Sequence, residues 1–189
     1  MDEKHRLRRE LMTRRDQTTG RDVRSEAIRE RVLASPVFQH ARAIHCYLSI
    51  RSEVDTHFLI AIALTQGKAV AIPVLDSNRR LRHSWINGID PADFTEGVFG
   101  TLAPRVIRPV DPGDWDLTIV PMLGFDRDGY RIGYGMGYYD RLLAAAPTTT
   151  LGVAFSAQEV AALPHAPHDM PLDFIATEDE MIEACAILR

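Results

Sequence analysis

The sequence predicts an α/β fold, in which a mostly parallel sheet forms the middle layer of a three-layer α/β/α domain. Strand-like apolar runs alternate with helical segments along the chain, which is the order that a parallel sheet with crossover helices requires. The run Lys68–Val74 is apolar at nearly every position, as expected of a central strand covered on both faces. The 189 residues contain no repeat and no Ser/Gly-rich linker, so we expect a single domain over residues 1–189.

The first half of the chain is expected to open with two helices and to continue with a β–α–β unit. Leu7 and Leu11 form a narrow apolar stripe on the first, highly charged helix. Pro36 stops the second helix, and Gly67 ends the third as a C-terminal cap. The expected elements of this half are helices over 3–15 and Asp22–Ala34, a strand over Ala43–Ser49, a helix from Thr56 to Gly67, and strands over Lys68–Val74 and Leu81–Ile86.

The second half is organised around a glycine-rich loop between a buried strand and a helix. Pro and Gly residues punctuate Pro91–Pro112, which we expect to be irregular. Capping boxes at Ser156–Glu159 and Thr177–Glu180 predict two further helices, the second of them C-terminal. The other expected elements are a strand over Leu117–Val120, the loop Met122–Gly137, a helix over Tyr138–Ala146 that Pro147 ends, and strands over Thr150–Ala154 and Leu172–Ala176.

The composition is that of an ordinary soluble protein and excludes several classes. Hydrophobic residues make up 46% of the chain, and no apolar run approaches the ~20 residues of a membrane span. The basic N-terminal segment has no apolar core after it, and Cys46 and Cys185 have no CxxC spacing, so we expect a reducing, cytoplasmic location and no membrane contact. A net charge of -4 argues against a nucleic-acid partner.

The strongest chemical motif lies in the loop, where glycines occur at positions 133, 135 and 137 just before a helix. Glycine lets the backbone approach a ligand closely, and a helix N-terminus offers free N–H groups, so phosphate is the expected guest. The spacing is GxGxG, which is neither the dinucleotide fingerprint nor a Walker loop. An ordinary glycine turn is the alternative, and the flanking Arg131 and Arg141 favour the phosphate site. Asp140 is either a dipole-stabilising carboxylate or a Mg²⁺ ligand.

The segment GFDRDGYRIGYGMGYYDRLL, residues 124–143, closely resembles the signature of the 5-formyltetrahydrofolate cyclo-ligases, also called 5,10-methenyltetrahydrofolate synthetases. Lys4-His5-Arg6-Leu7-Arg8 resembles the K-x-x-L-R start of that family, and the resemblance continues in Tyr47-Leu48-Ser49 and Glu53-Val54-Asp55-Thr56. It therefore extends over nearly the whole chain. The resemblance implies a fold like that of the phosphosugar isomerases and CoA-transferases. It also implies an enzyme that converts 5-formyltetrahydrofolate and MgATP to 5,10-methenyltetrahydrofolate, ADP and phosphate.

The resemblance also assigns residues to this reaction. Met136 departs from the family motif, which often has Lys or Gly there, so Arg131, Arg141 or Lys4 would have to supply the positive charge. The implied catalytic residues are Arg131, Asp140 and Arg141, and the implied Mg²⁺ ligands are Asp140 and Asp173. The implied ATP-binding residues are Lys4, Arg8, Arg131, Ile132, Gly133, Tyr134, Gly135, Met136, Gly137, Tyr138 and Tyr139. The implied folate-binding residues are Leu48, Glu53, Tyr134, Gly135, Met136, Gly137 and Tyr138.

Other interpretations of these residues remain open from the sequence. Leu48 fits a buried strand position, and Glu53 precedes a helix N-terminus, where a carboxylate is favourable without any ligand. His165 and His168 have the spacing of a metal pair, but prolines break their segment and favour a loop. Alternative functions are a phosphosugar isomerase or CoA-transferase relative, an RNA-binding module, and a folate-binding protein without turnover. We expect the chain to act as a monomer on ATP and folate.

Overall fold

A computed structural model describes residues 3–145, 148–166 and 169–184, apart from the side chain of Phe99. The helices within these ranges are α1 (Glu3–Asp16), α2 (Arg21–Ala34), α3 (Pro36–His40), α4 (His57–Thr65) and α5 (Tyr138–Ala145). The strands are β1 (Ala43–Cys46), β2 (Ala69–Leu75), β3 (Leu81–Ile86), β4 (Phe94–Glu96), β5 (Leu102–Pro104), β6 (Leu117–Pro121), β7 (Gly124–Phe125), β8 (Arg131–Ile132), β9 (Thr149–Val153), β10 (Phe174–Ala176) and β11 (Met181–Glu183).

Seven strands form the main sheet, in the order β11-β10-β9-β6-β1-β2-β3. The five inner strands run parallel, and the two edge strands, β11 and β3, run antiparallel to their neighbours. In the register of the sheet centre, Ile44 of β1 lies opposite Val70 of β2 and Leu117 of β6. The mostly parallel α/β sheet predicted from the sequence is therefore confirmed.

Side-chain alternation along the inner strands gives the sheet two buried faces. On one face, Ile44, Ile72 and Ile119 pack with residues of α2, α3 and α4 in the largest core cluster. On the other face, Leu142 and Leu143 of α5 pack against neighbouring strand residues. Because both faces are covered, the inner strands are apolar almost throughout, as the sequence of β2 predicts.

Helix α1 packs on the β7–β8 hairpin, which follows β6, and on the segment from Ser156 to Leu163. Leu11 is fully buried against Leu123, Ile132 and Leu163. A Cβ at Gly124 would lie 2.5 Å from Leu11 Cδ1 and 3.1 Å from Gln158 O, so a larger residue there would force the buried Leu11 side chain to move. The hairpin thus carries α1 to the carboxyl edge of the parallel strands, where ligands bind in sheets of this kind.

The structure corrects the sequence prediction at several ends. Strand β1 stops at Cys46 rather than Ser49, because the Thr56 hydroxyl donates to Tyr47 O (2.6 Å) and bends the chain. Pro36 does more than stop α2. It is the first residue of α3, which Ser35 caps by accepting a hydrogen bond from the Phe38 N–H. The irregular segment Pro91–Pro112 contains the small β4–β5 hairpin.

Within the residues that the structure describes, the two helices predicted from capping boxes are not formed, so both predictions are wrong. Ser156–Gln158 is one turn of 3-10 helix, because Gln158 bonds to Met122 O and Leu123 O while Glu159 bridges Phe125 in an extended conformation. At Thr177 the hydroxyl accepts the N–H groups of Asp179 and Glu180 and so closes a tight turn between β10 and β11. Other predicted features fall on residues outside the described ranges: Ala146 and Pro147 at the end of the helix predicted from Tyr138, His168 of the histidine pair, and Cys185. In the described part of the chain, every helix is too short or too polar to cross a membrane.

Candidate functional site

The β7–β8 hairpin holds the glycine-rich loop at the carboxyl edge of the sheet. The buried Asp126 carboxylate accepts the N–H of Tyr130 (3.0 Å) and the N–H of Leu163 (2.9 Å), which fixes the hairpin turn to the next segment. Gly129 closes that turn with φ 88°, and its carbonyl accepts the Leu172 N–H (2.9 Å). The loop therefore starts from a rigid base before it reaches α5.

Two of the three signature glycines adopt backbone angles that only glycine takes readily. Gly135 has φ 94° and Gly137 has φ 65°, whereas Gly133 has no such requirement. The Arg8 guanidinium lies over Gly135, where a Cβ would be 3.1 Å from Cζ, and Arg8 Nε donates to Gly133 O (3.0 Å). The glycines thus let the first helix place a cation directly on the loop.

Arg131 and Asp140 join the two ends of the loop by an ion pair. Arg131 Nη2 donates to Asp140 Oδ1 (2.7 Å), and Arg131 Nη1 donates to Met170 O (2.6 Å). Burial lowers the pKa of the Arg131 guanidinium, and the nearby Asp140 and Asp169 carboxylates oppose that shift. Arg131 is only 5% exposed, but Asp140, in the first turn of α5, is 34% exposed and accessible to a ligand.

A second arginine holds the other side of the loop. Arg141 Nη2 donates to Met136 O (3.1 Å), and its guanidinium lies 5.3 Å from the centre of the Tyr138 ring. The Tyr138 hydroxyl donates to Arg79 O (2.9 Å) at the tip of the β2–β3 hairpin, where Arg79 has φ 58°. A cleft of about 300 Å³ opens here, lined by Arg79, Arg80, Leu81, His83, Pro112, Tyr138, Arg141, Leu142 and Ala145.

The predicted lysine also reaches this region. Lys4 Nζ lies 2.7 Å from Asp169 Oδ2, one residue before the carbonyl that Arg131 binds. Lys4, Arg8, Arg131 and Arg141 therefore surround the loop from three directions, although each already has a protein partner. Four cations next to positive-φ glycines and a helix N-terminus are suited to bind a polyphosphate.

Glu53 lies in the turn before α4 and meets the loop through Tyr134. Its side chain is 7% exposed. Oε2 accepts the Ile50 N–H (3.0 Å), and Oε1 accepts the Tyr134 hydroxyl (3.3 Å). Burial raises the pKa of the Glu53 carboxyl, and the Arg15 guanidinium, whose Nη1 is 3.8 Å from Oε1, opposes that rise. The predicted folate residue and the predicted ATP loop are thus in direct contact.

Several predicted ligand residues are placed with their side chains in the protein interior. Leu48 packs in the core between the sheet and α2, α3 and α4, and Ile132 packs under α1. Tyr139 packs against the two groups of buried residues that contain Leu142 and Leu143 of α5. Its buried hydroxyl has no hydrogen-bond partner within the described part of the chain. Met136 is half exposed at the loop tip. Ile132 and Tyr139 can therefore serve the loop mainly through their backbone.

The predicted second metal ligand, Asp173, has structural partners. Its Oδ2 accepts the backbone N–H (2.8 Å) and the hydroxyl (2.7 Å) of Thr150, which ties the start of β10 to the start of β9. That is the amino end of the parallel strands, whereas the loop follows the carboxyl end of β6. Asp169, which the sequence prediction omitted, is the carboxylate that contacts Lys4 and acts on Arg131 beside Asp140.

Sequence reasoning also missed Arg15 of α1. This side chain is 2% exposed, and it contacts both Glu53 and Tyr134. One sequence signal could have identified it. Leu7, Leu11 and Arg15 follow one another at intervals of four residues, so Arg15 continues the apolar stripe that faces the protein. A charged residue on such a stripe must find a buried partner.

Comparison with known proteins agrees with this geometry. The family profile described as the 5-formyltetrahydrofolate cyclo-ligase family matches residues 1–178. A 5-formyltetrahydrofolate cyclo-ligase of Mus musculus is 30% identical over 169 residues, which are 79% of this chain and 80% of the relative. The Escherichia coli K12 relative of the same name is 30% identical over 158 residues, with 81% and 87% covered.

Solved structures give the same result over more of the chain. The NMR structure of Aquifex aeolicus 5,10-methenyltetrahydrofolate synthetase superposes with a TM-score of 0.84 at 30% identity and covers 98% of this chain and 95% of its own. The similarity thus includes α1, the glycine-rich loop and the sheet edge that carry the site. The chain belongs to the 5-formyltetrahydrofolate cyclo-ligase family.

Proposed function

We propose that this protein converts 5-formyltetrahydrofolate and ATP to 5,10-methenyltetrahydrofolate, ADP and phosphate. The observation that carries the proposal is the hydrogen bond between Tyr134 of the glycine-rich loop and Glu53 (3.3 Å). A loop surrounded by cations binds the nucleotide, and a buried carboxylate binds the folate. Because one tyrosine belongs to both, the two substrates meet at the same place.

Each cation has a defined part in holding ATP. Arg8 and Arg141 bind the loop carbonyls of Gly133 and Met136, so their guanidinium groups are fixed where the phosphates would lie. Arg131 is buried between the loop and Asp140 and supplies positive charge at the α5 N-terminus, and Lys4 adds a point charge beside Asp169. Backbone N–H groups of Gly133–Gly137 complete the phosphate site.

The residues present fit a Mg²⁺ ion that accompanies ATP. Magnesium is usually held by one or two carboxylates together with substrate phosphates. Asp140 is one-third exposed at the helix N-terminus, and we propose Asp169 in place of Asp173 as the second carboxylate because it acts on the same arginine. When bound, the ion neutralises phosphate charge that develops during transfer.

The substrate can provide both nucleophiles, so the protein has to align groups and neutralise charge. The N5-formyl oxygen attacks the γ-phosphorus, and the bond from that phosphorus to the β–γ bridging oxygen breaks, which releases ADP. N10 then attacks the activated carbon, its proton leaves, and the carbon–oxygen bond breaks to release phosphate. Arg8, Arg131 and Arg141 stabilise the transferring phosphoryl group, and Glu53 orients the folate.

We also propose that the protein acts as a monomer on ATP and 5-formyltetrahydrofolate. A cytoplasmic location fits the thiol of Cys46, which is buried and whose pKa is raised by that burial. An inert, reduced thiol suits a reducing compartment.

The test is the absorbance of the methenyl-folate band when purified protein is mixed with MgATP and 5-formyltetrahydrofolate, against a mixture without ATP. We expect the band to grow only when ATP is present, with one ADP formed per methenyl product. A folate-binding protein without turnover would bind 5-formyltetrahydrofolate and leave the band flat, and that result would overturn the proposal.

A further inference from the structure

Arg15 is a deeply buried cation that has no role in the reaction proposed above. Its Nε donates to Ser52 Oγ (3.1 Å) and its Nη2 donates to the Tyr134 hydroxyl (2.7 Å). Its Nη1 is also buried, and within the described residues it has no hydrogen-bond partner. Glu53 Oε1 lies 3.8 Å from this Nη1. A buried guanidinium N–H that lacks an acceptor lowers the stability of the folded protein unless it can bind another group.

The hydrogen bonds around Arg15 run in one direction. Arg15 donates to the Tyr134 hydroxyl, and that hydroxyl then donates its own hydrogen to Glu53 Oε1 (3.3 Å). The guanidinium also lies 5.6 Å from the centre of the Tyr134 ring. An ionised Glu53 accepts at both oxygens, whereas a protonated Glu53 carries a donor of its own at one of them. Arg15 favours the ionised form of Glu53, as the Ile50 N–H does, and it also fixes the position of the Tyr134 hydroxyl.

We propose that Arg15 is a positioning residue of the folate site, which holds Glu53 as an acceptor-only carboxylate and fastens the glycine-rich loop to it through Tyr134. This inference rests on the proposed function, because it assigns Glu53 to the folate. An ionised Glu53 offers two oxygens to N–H donors of the pterin ring, whereas a protonated one would oppose them with its own donor. The 3.8 Å gap leaves room for Nη1 and Oε1 to tighten when folate binds.

Other charged and titratable groups around Glu53 cannot replace Arg15. Arg51 acts on Glu53 from the same turn, more weakly than Arg15 and the Ile50 N–H. Tyr47 and Tyr139 are buried, and the pKa of each is raised well above the usual value, so both stay neutral. Asp16 takes its hydrogen bond from Ser52, on the far side of Arg15. The cation that faces both Glu53 and the loop is therefore Arg15.

The test compares Arg15→Met, Arg15→Lys and the matched control Arg14→Met. Arg14 is the next residue of α1 and bonds to Glu10 and to the carbonyl of Glu159, away from the loop. For each variant, kcat/KM for 5-formyltetrahydrofolate is measured between pH 5 and 9 at saturating ATP, together with KM for ATP and the unfolding midpoint. A purely structural role would change the midpoint without moving the pH profile.

For Arg15→Met we expect the acid limb of the profile to move up by about one pH unit, which is a loss of up to about tenfold at pH values below the limb of the unmodified protein and little loss at pH values above both limbs. The sign follows from the charge: without the cation, Glu53 takes up its proton at higher pH. Arg15→Lys should restore the limb but not the full kcat/KM, since one ammonium cannot reach Ser52, Tyr134 and Glu53 together. Arg14→Met should match the unmodified protein. An unmoved limb in folded Arg15→Met would overturn the proposal.

Two further variants keep the test decisive. In a Glu53→Gln background, Arg15→Met should no longer move the limb, and a limb that still moves belongs to another group and refutes the role of Glu53. If Arg15→Met does not fold, Tyr134→Phe replaces it and should raise KM for folate about threefold to tenfold, as expected for loss of one hydrogen bond to a charged group. An unchanged KM would count against the proposal.

The proposed function and the role of Arg15 can fail separately. If the unmodified protein forms no methenyl product, the function fails. Equilibrium titration of 5-formyltetrahydrofolate at pH 6 and pH 8.5 then still tests Arg15. Weaker binding by Arg15→Met at pH 6, with little change at pH 8.5, would support the positioning role, and equal binding at both values would refute it.

Discussion

Alanine substitutions at the signature glycines show which of them the folded protein needs for its backbone conformation and close contacts, and which could be replaced without cost. Gly135 has φ 94° and lies under the Arg8 guanidinium, whereas Gly133 has no positive φ and an added Cβ there would meet nothing within 4 Å. Gly135→Ala should therefore be costly, and Gly133→Ala should be almost neutral in the ligand-free protein. Both positions belong to the same motif, so each is the control for the other.

The cost of Gly135→Ala has two parts. A left-handed φ costs a non-glycine residue about 1–2 kcal/mol. The new methyl group would also push the Arg8 guanidinium away from Gly133 O, which puts at risk a hydrogen bond worth about 0.5–1.5 kcal/mol. The sum, about 1.5–3.5 kcal/mol, corresponds to a fall of about 3–14 °C in the unfolding midpoint for a chain of this size. Gly133→Ala should raise the midpoint slightly, because alanine restricts the unfolded chain.

Thermal unfolding followed by circular dichroism, with and without MgATP, checks this reasoning. Gly67→Ala measures the backbone part alone, since Gly67 has φ 78° and open space around it. We expect midpoints in the order Gly133→Ala, Gly67→Ala, Gly135→Ala from highest to lowest, and a smaller ATP-induced rise in Gly135→Ala because Arg8 is displaced. Equal midpoints for the Gly133 and Gly135 variants would refute the reasoning.

Three further outcomes are expected. Asp140→Asn should lower kcat by about a hundredfold or more, as loss of a charge that stabilises the transition state does, and unchanged Mg²⁺-dependent turnover would contradict its assignment. Asp169→Asn should raise the Mg²⁺ concentration needed for half-maximal rate, whereas Asp173→Asn should only lower the unfolding midpoint; the reverse pattern would restore Asp173 as the ligand. His45 and His83, 3.0 Å apart, have pKa values lowered by burial, that of His83 to about 4. The unfolded chain therefore takes up protons first below about pH 6.5, and the free energy of unfolding should fall from there towards pH 4, less steeply in His83→Asn, as urea titrations can show.

Most of the fold could be predicted from the sequence, because the periodicity of apolar residues shows directly which positions are buried. The inner strands and α5 lie where their apolar runs predicted. The edge strand β3 also lies where its apolar run predicted, but β11 could not be predicted, because it depends on what the Thr177 hydroxyl binds. A capping box and a tight turn share the same residue types, and only tertiary contacts decide between them.

For the site, the resemblance identified the loop, but the structure was needed to say which carboxylates and cations reach it. Asp169 and Asp173 are four residues apart, and no local pattern shows that one contacts Lys4 while the other ties two strands together at Thr150. Arg15 looks like one more charge on a charged helix until its neighbours on the same face are considered. Long-range pairing of this kind is set by the docking of α1, which sequence periodicity does not describe.

The docking of α1 explains how one helix reaches both of the proposed substrate sites. Lys4, Arg8, Leu11 and Arg15 are spaced by four, three and four residues, so they lie along one helical face. In order they contact Asp169, the loop at Gly133, Gly124 of the hairpin, and the pair Tyr134 and Glu53. The cations proposed for the nucleotide and the cation proposed to position the folate therefore lie on one face of one helix, so a displacement of α1 would move all of them together.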